Sequence, residues 1–157
     1  MATISSNEEP GMQQIDLMKL NLQQLTQLKN QLDQELGVFQ ESLQTLKMAK
    51  TKFIGSRESL EQLKPDWQQQ FVFVPLTGSM YVPGYIKNVD NVLIDVGTGY
   101  YAEKDLDTAK DYFKRKMDFV QEQMEKIELL GIEKSKIRDA IIDVMEIKLA
   151  ALQKPSS

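Results

Sequence analysis

The sequence predicts an α+β fold in which two long helices form an antiparallel coiled coil and two β-hairpins lie between them in the chain. Three observations carry this prediction. Apolar residues recur with a four-three spacing in both terminal thirds, the middle switches to alternating β-branched and aromatic residues, and the two helical segments are nearly equal in length. We expect one domain over residues 1–157.

The composition narrows the classes of function. The chain has 157 residues with a formal net charge of −4, which argues against a nucleic-acid partner because phosphate binding requires clustered Lys and Arg. It has no cysteine and no histidine, the usual sources of thiolate nucleophiles, imidazole bases and many metal ligands. We therefore expect no enzyme activity, no catalytic or metal site and no cofactor.

The sequence shows no targeting or membrane signal. The N-terminus lacks a basic region followed by an apolar core, and no apolar run approaches the ~20 residues that span a bilayer. These features predict a soluble, intracellular protein with no membrane partner.

A disordered tail over residues 1–11, ending in Pro10-Gly11, is expected to precede a first coiled-coil helix over residues 12–64. Ten of thirteen seam positions in this helix are apolar and the spacing never slips, which favours a coiled coil over a globular amphipathic helix. The helix should stop near Lys64, since the residue before a proline is pushed away from helical backbone angles. The seam positions are Met18, Leu22, Leu25, Lys29, Leu32, Leu36, Phe39, Leu43, Leu46, Lys50, Phe53, Arg57 and Leu60.

Two β-hairpins are predicted within residues 70–104. In the first, Gly78 is expected to supply the unusual backbone angle of the turn. Because a two-stranded ribbon is marginal in water, we expect strands from other chains to complete these hairpins. The predicted strands are residues 71–74, 80–82, 92–96 and 100–102. The predicted assembly residues are Val72, Val74, Leu76, Met80, Tyr81, Val82, Val92, Ile94, Val96, Tyr100 and Tyr101.

The Gly97-Thr98-Gly99 segment has two alternative interpretations. Two glycines around one residue after a strand could indicate a phosphate-binding loop. The segment lacks a third glycine, opens no helix and carries no Lys-Ser or Lys-Thr pair. We therefore predict that it is the turn of the second hairpin.

The second coiled-coil helix is predicted over residues 105–153, with Asp105 as its N-cap and Pro155 just beyond its end. Its four-three spacing contains one three-residue step beside Gly131, which changes the winding of a coil without ending it. Residues 14–64 and 105–153 would be about 75 and 72 Å long at ~1.5 Å per residue. Such similar lengths predict an antiparallel pair, with the hairpins at one end of a rod and the chain termini at the other.

More apolar residues occur near the chain termini than one seam can use. In a two-stranded coil a second stripe must face outward, and exposed apolar patches usually mark contact sites. The alternative is a shift of register that turns the second stripe into the seam. The predicted binding residues of this tip are Leu17, Met18, Leu20, Leu22, Ile142, Met145, Leu149 and Leu152.

Three segments carry a family resemblance. They are VPLTGSMYVPG (residues 74–84), VLIDVGTGYYAEK (residues 92–104) and AKDYFKRKMDF (residues 109–119). They closely resemble the alpha class of prefoldin subunits, and the likeness extends over the chain from about Met12. The specific part lies in the hairpins and the start of the second helix, since heptads alone recur in many unrelated proteins.

The resemblance implies a fold, partners and an activity. Alpha-class chains carry two hairpins, and two of them join four beta-class chains through intersubunit β-barrels in a hexameric co-chaperone. The coiled-coil tips of this family hold unfolded proteins, notably actin and tubulin, and deliver them to the cytosolic chaperonin without ATP. The resemblance therefore implies a cytoplasmic protein, with the nucleus as a second compartment. The alternative is a coiled-coil interaction adaptor or transcriptional co-regulator that acts outside the hexamer.

Overall fold

The structure is a computed structural model that describes residues 16–155. The tail predicted for residues 1–11 and the predicted start of the first helix at residue 12 lie outside the described residues. In chain order the elements are a short 3-10 helix Leu17–Lys19, α1 Leu22–Glu61, a second 3-10 helix Pro65–Trp67, β1 Phe71–Pro75, β2 Tyr81–Tyr85, β3 Asn91–Gly97, β4 Tyr100–Asp105 and α2 Leu106–Gln153.

Helix α1 begins at a reciprocal cap. The Asn21 side chain accepts a hydrogen bond from the Gln24 backbone N–H at 2.8 Å, and the Gln24 side chain accepts one from the Asn21 backbone N–H at 3.1 Å. Two donors that would otherwise lack partners at a helix start are thereby satisfied. The helix ends at Glu61, and Lys64 before Pro65 has the extended backbone expected of a residue that precedes proline.

Helix α2 begins where the sequence predicted. Asp105 accepts a hydrogen bond from the Thr108 backbone N–H at 3.4 Å, as an N-cap residue does. The pKa of the Asp105 carboxyl lies below its usual value, chiefly because of a hydrogen bond with the Thr108 side chain. The helix runs without interruption past Gly131 to Gln153.

Two separate antiparallel hairpins lie between the helices in sequence, β1 with β2 and β3 with β4. In the first hairpin, β2 includes Pro83 and ends at Tyr85, three residues beyond the end of the predicted strand. Proline is tolerated there because both strands of a two-stranded sheet are edges. In the second, the register shifts between Asp95 and Gly97, which forms a β-bulge beside the turn.

The turn of the second hairpin uses left-handed backbone angles. Gly97, Thr98 and Gly99 have φ of 104°, 50° and 80°. The segment therefore forms the predicted hairpin turn. The corresponding expectation for Gly78 is wrong, because the φ of that residue lies outside the left-handed region. The first hairpin turn forms without a residue of positive φ.

The described chain divides into two compact units. The terminal unit contains residues 16–38 and 130–155, and the hairpin unit contains residues 39–129. Over the described residues, neither long helix is apolar enough over a sufficient length to cross a membrane.

In each unit the helices run antiparallel. The terminal unit pairs Lys134 with Glu35 at 2.9 Å, and Lys148 Nζ donates to the Met18 carbonyl at 2.9 Å, so residue numbers rise along α2 as they fall along the N-terminal segment. The helices of the hairpin unit are antiparallel as well: Lys50 Nζ donates to the Gln121 side chain at 2.8 Å, and the ring centroids of Phe53 and Phe113 lie 6.3 Å apart.

Candidate functional site

The core of the terminal unit is small and apolar. Leu25 and Ile141 are 0% exposed and cluster with the buried Leu32. In α2 the four-three spacing places Ile137, Ile141 and Val144 at the seam, and the burial of Ile141 shows that this seam is kept near the end of the helix. The partly buried residues that pack against this cluster are Leu17, Leu20, Leu28, Val144 and Met145.

The structure divides the eight predicted tip residues into three groups. Leu17, Leu20 and Met145 pack against the core cluster. Leu22 and Ile142 are half-buried. The exposed residues are Met18 at 55%, Leu149 at 46% and Leu152 at 72%.

The distinction between these groups follows from packing that the spacing pattern did not contain. The 3-10 helix before α1 carries Leu17 and Leu20 onto the core, whereas the prediction extended the α-helix through this region. The exposed part of the candidate tip surface therefore consists of Met18, Leu149 and Leu152. We call these three residues the tip patch.

Ion pairs flank the core of the terminal unit. Glu35 forms an ion pair with Lys134. Asp33 forms ion pairs with Lys29 at 2.7 Å and with Arg138 at 3.7 Å. The hydrogen bond from Lys29 is the main cause that lowers the pKa of Asp33, and the hydrogen bond from Lys134 is the main cause for Glu35. The Lys29–Asp33 pair lies within α1, whereas Lys134 with Glu35 and Arg138 with Asp33 join the two helices. The two cross-helix pairs favour one register of α1 against α2 because a shifted helix would separate the charges.

The first hairpin has two apolar faces. Directly opposite residues include Val74 with Val82 on one face and Phe71 with Tyr85 on the other. The aromatic face is held together by edge-to-face contacts of Phe71 with Phe73 at 5.1 Å and with Tyr85 at 5.6 Å between ring centroids. Both faces leave large apolar side chains exposed, including Phe73 at 65%.

The sequence prediction named only one residue of the aromatic face, Tyr81, which lies opposite Pro75. It assigned the other strand contacts of this hairpin to Val72, Val74 and Val82, which share the opposite face, and none to Phe71, Phe73 and Tyr85. The signal was present, because in Phe71-Val72-Phe73-Val74 both phases of the alternation are apolar. A strand of that kind is buried on both sides.

The second hairpin is different because one of its faces is already covered. Ile94 is buried, and it lines a cleft of about 420 Å³ together with Val92, Phe53 and Phe113. The opposite face and the turn expose three of the predicted assembly residues, Val96, Tyr100 and Tyr101. The neighbouring Leu93, which was not predicted, is exposed as well. The remaining predicted assembly residues of the first hairpin, Leu76, Met80 and Tyr81, are exposed as well.

Comparison with known proteins gives the class of this chain. The family model described as prefoldin subunit matches residues 32–153, which is most of the sequence. The chain therefore belongs to the prefoldin subunit family.

Its relatives narrow the resemblance within that family. The chain is 47% identical over 143 residues to the probable prefoldin subunit 5 of Drosophila melanogaster, which covers 91% of this chain and 85% of the relative. It is 46% identical over 140 residues to prefoldin subunit 5 of Homo sapiens, covering 89% and 91%, and 33% identical over 137 residues to that of Arabidopsis thaliana, covering 87% and 91%. Among solved structures, filamentous PFD from Methanocaldococcus jannaschii matches with a TM-score of 0.44 and 21% identity, covering 78% of this chain and 98% of that chain.

Proposed function

We propose that this chain is a subunit of a hexameric prefoldin co-chaperone of two alpha-class and four beta-class chains. In this role its hairpins complete intersubunit β-barrels, and its tip patch holds unfolded polypeptides of the actin and tubulin type. The co-chaperone then delivers them to the cytosolic chaperonin without ATP, which places its work in the cytoplasm. Family membership and the two exposed hairpins support the assembly role.

The hairpins are the observation that carries the proposal. A two-stranded ribbon with exposed Phe73 and Tyr85 on one face and exposed Val74 and Val82 on the other is poorly suited to water. Pairing with strands of other subunits would satisfy the edge N–H and C=O groups and cover the side chains. These surfaces therefore fit an assembly role better than a ligand site.

The tip patch suits a weak and unspecific client contact. Its three exposed side chains are apolar, and Met18 is flexible enough to adapt to different partners. A few such contacts on each of several subunits can hold a client firmly through high effective concentration and still release it. No nucleotide is needed for a cycle of this kind.

The client role is tested with a double variant, Leu149→Ser with Leu152→Ser, in the assembled hexamer. Both side chains are exposed, so the terminal unit should stay folded while suppression of aggregation of unfolded actin falls several-fold. Ile147→Ser is the matched control, because Ile147 is 57% exposed on the same helix but lies on a different face. Unchanged holding by an intact double-variant hexamer would contradict the proposed role of the tip.

An adaptor or transcriptional co-regulator outside the hexamer remains the competing function. It would use the same apolar surfaces on one folded partner. Size-exclusion chromatography with light scattering of the native protein distinguishes the two, because the adaptor requires a substantial population outside a six-chain assembly.

A further inference from the structure

The short 3-10 helix Leu17–Lys19 covers the apolar core at the start of α1. Leu25 lies only one turn into α1, where a helix end would normally leave a side chain partly in water, yet it is fully buried. Leu17 and Leu20 pack against the cluster to which Leu25 and Ile141 belong. The burial of the core at this end therefore depends on a segment that is outside the helix.

Few contacts hold this segment in place. Lys148 Nζ donates a hydrogen bond to the Met18 carbonyl at 2.9 Å, and the two leucines pack on the cluster. Among the residues that the structure describes, its other hydrogen bonds are internal: the Lys19 N–H donates to the Asp16 carbonyl at 3.0 Å, the Leu20 N–H donates to the Leu17 carbonyl at 3.3 Å, and the Met18 N–H donates to the Asp16 side chain at 3.1 Å. These bonds do not attach the segment to α1 or α2, and a 3-10 turn this short loses its protection from exchange once its leucines leave the core.

Helix α1 does not need the segment for its own start. Asn21 and Gln24 cap each other, and the Leu25 N–H donates to the Asn21 carbonyl at 3.0 Å. Leu20, between the 3-10 helix and this cap, has an extended backbone with φ −79° and ψ 142°. A rotation at Leu20 would lift the 3-10 helix from the core without breaking a hydrogen bond of α1.

We propose that the surface of Leu25, Leu32 and Ile141 that Leu17 and Leu20 cover is a client groove, and that the 3-10 helix is its displaceable internal occupant. On displacement, a short apolar stretch of an unfolded chain takes its place against Leu25 and Ile141. The 3-10 segment shows what kind of client stretch could replace it. Leu17 and Leu20 present two apolar side chains three positions apart, so the client stretch should carry apolar residues at a similar spacing. The exposed Leu149 lies one helical turn beyond Met145, which packs against the same cluster. This inference rests on the proposed client role.

The chain's lack of cysteine permits a direct test. Met18→Cys with Lys148→Cys, in an assembled hexamer, removes the Lys148 hydrogen bond and supplies the only two thiols of this subunit. One sample is joined by a short bifunctional maleimide across the groove, and the other is capped with N-ethylmaleimide. We expect the cross-linked sample to hold guanidinium-unfolded rhodanese at least about fivefold less well than the capped sample, because a covalent link opposes displacement more strongly than one hydrogen bond, whose loss corresponds to about that factor.

Lys148→Met and Lys148→Arg provide a second test without chemical modification. Lys148→Met keeps the aliphatic stem but loses the donor, and it should raise client affinity about fivefold, whereas Lys148→Arg should stay near the parent protein. Hydrogen exchange supplies the structural readout. On client binding the Lys19 and Leu20 amides should exchange faster while the amides of α1 after Leu25 stay protected.

The outcomes distinguish this proposal from the proposed function. Equal holding by the cross-linked and capped samples, or increased protection of Lys19 and Leu20 on client binding, would overturn displacement while the client role stands. If the parent hexamer holds neither rhodanese nor unfolded actin, the client role itself is contradicted.

Discussion

At the scale of single residues, the carboxylates of the terminal unit report whether its helices are in register. Glu35 is hydrogen-bonded chiefly by Lys134, which lies on the opposite helix, and this contact lowers the pKa of Glu35 below its usual value of about 4.3. Because the pKa of Glu35 is lower in the folded state, the pair stabilises the folded unit at pH values above the usual pKa. The contribution is lost as the pH falls through the folded-state pKa.

We expect a carboxyl-detected NMR titration to place the Glu35 midpoint below that of a glutamate in an unfolded peptide. Lys134→Met should move the midpoint upward, because it removes the largest cause of the shift. Lys136→Met is the matched control on an exposed position of the same helix and should leave the midpoint unchanged. An unchanged midpoint in Lys134→Met would show that the cross-helix pair is not formed in solution.

A second residue-scale prediction concerns the start of α1. Asn21→Ala removes the acceptor for the Gln24 N–H and should lower the free energy of unfolding by about 1 kcal/mol. Asn21→Ser keeps a capping oxygen and should lose less than half of that. Denaturant unfolding followed by circular dichroism measures both variants, and equal losses would mean that the cap is not what stabilises this end.

At the scale of elements, the second hairpin depends on backbone angles that a side chain disfavours. Gly97→Ala forces a Cβ onto a residue with φ of 104° and should destabilise the hairpin by about 1 kcal/mol or more. Gly78→Ala is the matched control in the first turn, where φ lies outside the left-handed region and no atom lies within 4 Å of the new Cβ. Equal losses of stability, measured by denaturant unfolding, would contradict the strain argument.

The helix pair of the terminal unit depends on very few core side chains. Ile141→Ala should lower its stability by about 2–4 kcal/mol, because the side chain is fully buried and its removal leaves a cavity. Ile147→Ala, at an exposed position of the same helix, should change it by less than about 0.5 kcal/mol. Hydrogen exchange of the amides of residues 22–38 localises the effect, and similar protection in the two variants would contradict the assignment of the core.

The elements also show what the sequence could and could not predict. Periodicity located both helices, both hairpins and the Asp105 cap, because each leaves a local signature in spacing or residue type. The 3-10 helix has no such signature: Leu17 and Leu20 fit a helical stripe equally well, and only packing against Ile141 separates them from the exposed Leu149. The first turn was misread at Gly78 because glycine permits a left-handed angle without requiring one.

At the scale of the whole molecule, the exposed surfaces exceed what one chain can cover. The first hairpin presents apolar side chains on both faces, so one layer of neighbouring strands cannot bury all of them. The prediction from sequence named Tyr81 on the aromatic face but none of Phe71, Phe73 and Tyr85. The aromatic face of Phe71, Phe73 and Tyr85 therefore marks a further contact surface within the proposed assembly.

This surface yields the last prediction. Phe73→Ser should weaken association with other prefoldin subunits by about 2 kcal/mol, or about 30-fold, because a truncated aromatic anchor loses most of its contact energy. Phe119→Ser is the matched control, since Phe119 is 58% exposed on α2 and lies outside the hairpins. Co-expression followed by size-exclusion chromatography with light scattering measures assembly, and circular dichroism verifies that both variants remain helical. If the aromatic face is buried between subunits, only Phe73→Ser reduces the amount of six-chain complex. If both variants assemble normally, that face is free in the complex and serves another partner.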